Sequence, residues 1–249
     1  MDKKWLGNIK VNVLSSKEAI TDIKEKLEKK MISDIFFLND HGYNIAQKDE
    51  AYRDMLNHAD LLLNDGIGIE IGAKLFGFSF KENLNGTDFI PALFQSLNEE
   101  KDKQYRVFLL GAKPGVAQKA QERLQHQYKN LLFVGNQDGY FPKESTGDII
   151  DQINKRNTDI LLVGFGMPLQ EQWINEYRSK LECTITMAVG AFIDFSSGEV
   201  ARAPKIFRDL RLEWLYRMGK EPKRLWKRNV VGHVAFFNSI YKQRKTNHP

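Results

Sequence analysis

Short, largely apolar runs recur along this chain, each cut off by a polar or glycine-containing turn. Ile35-Phe-Phe-Leu38 stops at Asn39-Asp-His-Gly42, and Leu61-Leu-Leu63 stops at Asn64-Asp-Gly66. Val107–Leu110 runs into Gly111-Ala-Lys-Pro-Gly115, Leu131–Val134 into Gly135, Asp159–Val163 into Gly164-Phe-Gly166, and Thr184–Val189 into Gly190. Runs this short, with no alternation, fit strands covered on both faces. Between them, apolar residues recur three and four apart, as on one side of a helix. Ala19, Ile20, Ile23 and Leu27 do so, as do Tyr52, Met55, Leu56 and Ala59, and Ile67, Ile71 and Leu75. Further helices are predicted over about 88–100, 116–128, to 156 and to 180. Residues 8–14 alternate instead, as a half-exposed strand would. Strand–helix alternation of this kind predicts an α/β fold: a Rossmann-like, largely parallel sheet with helices on both faces, over residues 1–198.

From Val200 the rhythm stops. Residues 199–249 hold 13 Lys or Arg against 4 Asp or Glu, whereas residues 1–198 hold 24 against 28. The net charge of +5 is therefore concentrated in the tail, which reads as a basic, mainly helical appendage with an anionic partner. Trp226, Phe236, Phe237 and Tyr241 lie among its cations and suit an anionic bilayer surface. No apolar run reaches the ~18–20 residues of a membrane span, and the N-terminal residues lack the apolar core of a signal peptide. Cys183 is the only cysteine, so no internal disulfide is expected. These features point to a cytoplasmic protein whose tail can meet an anionic partner such as a membrane surface. The acidic balance of the body argues against nucleic acid as the partner.

A parallel sheet gathers its ligand at the carboxyl ends of the strands, and the turns named above lie there. If the Ile35–Leu38 and Leu61–Leu63 strands are neighbours, Asn39 and Asp65 face one crevice. Asp65, just ahead of a helix, fits either a helix cap or a carboxylate offered to that crevice. His41 fits either an ordinary turn histidine or a general base. Gly164-x-Gly166 is a fragment of a dinucleotide fingerprint and Gly111-x-x-x-Gly115 a weaker one; no P-loop and no complete G-x-G-x-x-G are present. The five histidines show no metal-ligand spacing and no paired aspartates suggest a bound divalent ion, so neither metal nor cofactor is expected.

Several of these stretches occur together in a known order. Leu63-Asn-Asp-Gly-Ile-Gly68, Gly86-Thr-Asp88, Val107–Gly115, Asp138-Gly-Tyr-Phe141, Val163-Gly-Phe-Gly-Met-Pro-Leu-Gln-Glu171, Val189-Gly-Ala191, Arg202-Ala-Pro204, Leu212–Arg217 and Glu221-Pro-Lys-Arg224 resemble the WecG/TagA/CpsF family of bacterial glycosyltransferases, glycosyltransferase family 26. The resemblance covers about residues 8–229. It implies inverting, metal-independent transfer of a hexose or N-acetylhexosamine from a UDP-sugar to a polyprenyl-diphosphate-linked saccharide. Asp65 matches the family's proposed catalytic base, and Asn39 and Gln170 match polar residues of its pocket. Arg217, Arg224 and Lys227 match cations that the C-terminal appendage holds over the site, Lys227 replacing the usual Arg. Phe37 and Asn83 stand where many members have Thr and Arg. With Asn83-Leu-Asn-Gly-Thr-Asp-Phe89, they resemble the exopolysaccharide glucosyltransferase branch more than the N-acetylmannosaminyltransferases of teichoic acid linkage-unit synthesis.

On this reading Asp65 deprotonates the acceptor, while the glycine loops at Gly111, Gly164 and Gly166, with Asp194, hold the nucleotide. The cations and loop N–H groups receive the charge of the departing UDP. An exposed tail beside an apolar pocket rim also suits a homo-oligomer. A nucleotide-binding regulator or hydrolase using the same glycine loops is the alternative from a different class.

Overall fold

The computed structural model describes residues 2–204, 207, 213–220 and 230–247. The chain opens with an antiparallel hairpin, β1 (Lys3–Leu6) and β2 (Ile9–Asn12), closed at Gly7-Asn8. Gly7 has φ +64°, a left-handed conformation that glycine adopts without strain. The alternating stretch is thus β2, but its partner β1 is not foreshadowed, because Lys3-Lys4-Trp5 carries no apolar alternation.

There follow α1 (Ser16–Lys29), β3 (Ser33–Leu38), α2 (Asp40–Ala46), α3 (Glu50–His58), β4 (Leu61–Asn64), α4 (Ile67–Leu75) and α5 (Gly86–Asn98). Next come β5 (Arg106–Gly111), α6 (Val116–Gln127), β6 (Leu132–Gln137), α7 (Thr146–Lys155), β7 (Ile160–Gly164), α8 (Leu169–Tyr177), β8 (Ile185–Ala188) and α9 (Phe192–Ser197). The helices α10 (Glu213–Lys220) and α11 (Gly232–Asn247) follow, and short 3-10 turns lie at Lys143–Ser145 and Arg178–Lys180.

Strands β3 to β8 form one sheet in the order β4-β3-β8-β7-β5-β6, every pairing parallel. The buried side chains divide into two cores, one on each face of this sheet. Leu14, Ile23, Leu93, Phe94, Leu124 and Ile193 belong to one, and Tyr43, Tyr52, Leu56, Ile153, Ile174 and Phe236 to the other. This is the predicted architecture. The hairpin closes off one sheet margin: Asn12 Oδ1 accepts from Leu62 N of the edge strand β4 at 2.9 Å, which spares that edge an unpaired donor.

Helix α11 packs against the body. Phe236 and Ile240 are fully buried, and the Phe236 ring meets Tyr43 edge-on at 5.0 Å between centroids. The close approach depends on Gly72 of α4, where a β-carbon would lie 3.1 Å from Phe236. The Tyr43 hydroxyl donates to Gln243 at 3.1 Å, and Asn44 Nδ2 donates to the Gly232 carbonyl at 2.7 Å. Phe236 was expected at a bilayer surface; it lies inside the protein instead, because the glycine notch and Tyr43 cover it. No described helix is long and apolar enough to cross a membrane.

Candidate active site

All six strands of the main sheet deliver residues to one cleft of about 800 Å³ at their carboxyl ends. Asn39–His41 follow β3, Asp65–Gly68 follow β4, Ala112 and Lys113 follow β5, Gly139–Phe141 follow β6, Gly164 ends β7 and Phe165–Met167 follow it, and Gly190 and Ala191 follow β8. Because β3 and β4 are adjacent with Leu38 opposite Asn64, the Asn39 and Asp65 turns do face the same crevice.

Asp65 is half-buried in this cleft. Its turn is held from several sides. Asp65 N donates to the Leu38 carbonyl at 2.8 Å, Gly66 N donates to Asn83 Oδ1 at 3.0 Å, and Asn64 Nδ2 donates to the Glu82 carbonyl at 3.0 Å. The residue capping α4 is Gly66, not Asp65, and its φ of +100° is one that L side chains rarely adopt. Asp65 therefore stands one residue ahead of the cap, at the positive end of α4.

The other expected site residues divide by what their atoms do. Asn39 lines the cleft and caps α2, its Oδ1 accepting from Gly42 N at 3.0 Å. Asn83 lines it while holding the Gly66 amide. Gln170 borders the cleft yet is only 1% exposed. Its Oε1 accepts from Gly166 N at 3.1 Å and from Gly190 N at 2.9 Å. Gly164, Gly166 and Asp194 line the cleft; Gly111 does not. A β-carbon at Gly111 would lie 2.5 Å from the Gly164 carbonyl oxygen, so this glycine lets β5 and β7 come together beneath the site. The N–H of Gly166 turns inward to Gln170, and what Gly166 gives the cleft is its φ of +85° and lack of a side chain. Arg224 and Lys227 lie outside the described residues, and of Arg217 only the backbone, in α10, is described. His41 lines the cleft as well.

Four further cleft residues were not singled out from the sequence. Asp40 and His233 meet across the cleft wall, with His233 Nδ1 and Asp40 Oδ2 2.5 Å apart. Asp40 also fills the space over Gly68 in the first turn of α4. The pair joins α11 to α2 over 193 residues of sequence, a separation that no local pattern spans. Glu213 enters from α10, where Arg202 ties it down: Arg202 Nη1 donates to Asp88 at 2.6 Å and Nη2 to Glu213 at 3.2 Å. Lys113 is the only Lys or Arg among the described side chains that line the cleft, against the acids Asp40, Asp65, Asp88, Asp194 and Glu213. No group of three or more potential metal ligands occurs among the described residues.

A cleft lined by carboxylates, with Asp65 held in a braced turn ahead of α4, suits proton abstraction from a hydroxyl, but the fold alone hosts many chemistries. The sequence narrows them. Residues 4–249 match the profile of the glycosyl transferase WecG/TagA/CpsF family. The chain belongs to that family. It is therefore a glycosyltransferase. It is 32% identical over 228 residues (91% of this chain and 87% of the relative) to the N-acetylglucosaminyldiphosphoundecaprenol N-acetyl-beta-D-mannosaminyltransferase of Bacillus subtilis (strain 168). Proteins of the same description from Bacillus spizizenii and Staphylococcus aureus (strain MW2) are 34% and 29% identical, covering 74% and 84% of this chain and 69% and 81% of their own lengths. All three relatives are described as N-acetylmannosaminyltransferases, whereas Phe37 and Asn83 suggested the hexose-transferring branch.

Proposed function

We propose that this glycosyltransferase moves N-acetylmannosamine from its UDP donor to an N-acetylglucosaminyl-diphosphoundecaprenol acceptor, inverting the donor's anomeric centre. The observation that carries the reading is Asp65, held half-buried in the cleft that all six strands of the main sheet build. Asp65 takes the proton of an acceptor hydroxyl as that oxygen attacks C1. The bond from C1 to the β-phosphate oxygen breaks, and UDP leaves with the electron pair. One displacement inverts the centre and needs one base, which contributes about 10²–10⁴-fold.

Negative charge grows on UDP in a cleft already rich in carboxylates. Lys113 is placed to meet it, and the family resemblance assigns Arg217, Arg224 and Lys227 to the same task. The names of the relatives support the choice of sugar. Asn83 spends its amide oxygen on the Gly66 N–H, and the Phe37 ring packs edge-on against Phe89 with centroids 6.3 Å apart. Asn83 thus helps hold the Asp65 turn and Phe37 packs on Phe89, while both also line the cleft.

The acceptor is lipid-linked on this reading, so the enzyme works against the inner face of the membrane. Supporting this, Ile71 and Leu75 of α4, Val231, and Val234 and Tyr241 of α11 are exposed. Lys74, Lys242, Arg244 and Lys245 lie on the same two helices, a combination suited to an anionic lipid surface.

The deciding experiment supplies UDP-N-acetylmannosamine, UDP-N-acetylglucosamine and UDP-glucose in turn, with a prenyl-diphosphate-linked N-acetylglucosamine, and reads product mass. Addition of N-acetylmannosamine is expected. A hexose product would restore the glucosyltransferase reading, and UDP release that the acceptor does not accelerate would point to a hydrolase.

A further inference from the structure

Gln170 and Glu171 open helix α8 beneath the cleft, and both are buried. Gln170 Oε1 receives two backbone N–H groups, Gly166 from the β7–α8 turn and Gly190 from the β8–α9 turn. Those turns supply Phe165, Gly166, Met167, Gly190 and Ala191 to the cleft wall. A primary amide can present either its oxygen or its nitrogen to a given neighbour, and only the oxygen can accept from two N–H groups. The choice is made from the other end: Gln170 Nε2 donates to Glu171 Oε1 at 2.8 Å. A carboxyl oxygen that accepts there fixes which way the amide lies.

We infer that Glu171 is a positioning residue for glycosyl transfer. By orienting the Gln170 amide it locks the β7–α8 and β8–α9 turns into the one spacing that shapes the substrate cleft. Gln170 acts as a brace between turns, and the importance of this pair to catalysis is transmitted through backbone geometry. Glu171 need not touch substrate. This inference rests on the cleft being the glycosyl-transfer site only for its kinetic consequence; the locking of the turns stands independently.

The test pairs Glu171→Gln with Glu171→Met in the full chain. Glutamine can still offer an oxygen to Gln170 Nε2, whereas methionine has similar reach and no such acceptor. Backbone amide hydrogen exchange is read at Gly166 and Gly190, with Val163 and Ala188 of the adjoining strands as internal references. Breaking a local lock raises exchange where it acted and not throughout the fold. In Glu171→Met, exchange at Gly166 and Gly190 should rise by about tenfold or more over the references, and kcat/KM for donor should fall by about tenfold or more. Glu171→Gln should restore both. Gln170→Met should resemble Glu171→Met, and the double variant should be no worse than either single change, since residues acting as one unit are not additive.

Unchanged exchange at the two glycines in Glu171→Met would overturn the inference. So would a Glu171→Gln variant as impaired as Glu171→Met, or additive effects of the two changes. If Glu171→Met does not fold, Glu171→Gln and Gln170→Met still decide, because the inference requires the first to behave as wild type and the second to release both glycines. Should no sugar be transferred by any variant or by the wild type, the exchange result alone would still accept or reject the brace, separately from the assigned reaction.

Discussion

At Asp65 the chain places a carboxylate one residue before the cap of a helix, holds the turn with the Leu38 carbonyl and the Asn83 amide, and leaves the side chain half-buried in the cleft. Asp65→Asn keeps the size and removes the basicity, so transfer should fall by about 10²–10⁴-fold, while UDP affinity measured by calorimetry stays within a few fold. Near-normal turnover would take Asp65 out of the chemistry. Glu171 calls for a different measurement. Burial pushes its carboxyl up to about 7 from an ordinary value of 4.5, with the hydrogen bond from the Gln170 amide pulling the other way. The folded protein thus holds this proton more tightly than the unfolded chain. Its contribution to stability is full below about 4.5 and is lost as the pH rises through 7, a change on the order of 3 kcal/mol. Urea unfolding at pH 5 and pH 8 should show that loss in the wild type and a smaller one in Glu171→Gln. Asp65 is legible in the sequence because a strand, a polar turn and a helix announce a sheet edge locally. The brace is not: a glutamine four residues beyond a glycine turn has the same local pattern whether its amide faces ligand or backbone.

Among the elements, the strands are the most legible, since in an alternating chain an unbroken apolar run that ends in glycine fits little besides a strand buried on both faces. Their neighbours in the sheet follow from tertiary packing and cannot be read the same way. The hairpin partner β1 gives no signal because Lys4 and Trp5 are exposed and only Leu6 is buried. Helix α11 shows the converse problem. Its Phe236 and Ile240, four residues apart, form an apolar face, and such a face does not state whether protein or lipid will cover it. Here Gly72, Tyr43 and Leu6 cover it. Phe236→Ala should therefore cost about 3–5 kcal/mol in chemical denaturation, as large-to-small changes in packed cores do. A loss under about 1 kcal/mol would mean that α11 is not docked as described. Because His233 sits on the same helix and lines the cleft, the variant should also lose activity at temperatures where the rest of the fold persists.

On the scale of the molecule, one face of the sheet is covered by α1, α5, α6 and α9, while α11 joins α2 and α4 on the other. The cations and exposed apolar side chains of α4 and α11 therefore belong to the latter side. Vesicles containing an anionic phospholipid should bind the protein at low salt and release it as ionic strength rises, since exposed charges are screened over about 10 Å at 0.1 M. Equal binding to neutral vesicles in a sedimentation assay would assign the attraction to the apolar residues alone. The uneven distribution of charge foretells a basic C-terminal segment, whereas its packing against the body requires contacts between distant parts of the chain. The bond from Tyr43 to Gln243 spans 200 residues. During synthesis, then, the aromatic seam around Tyr43 emerges from the ribosome long before the segment that seals it. Until α11 arrives that groove is open to other apolar partners, so chaperone dependence should track the integrity of this helix more closely than that of the central strands.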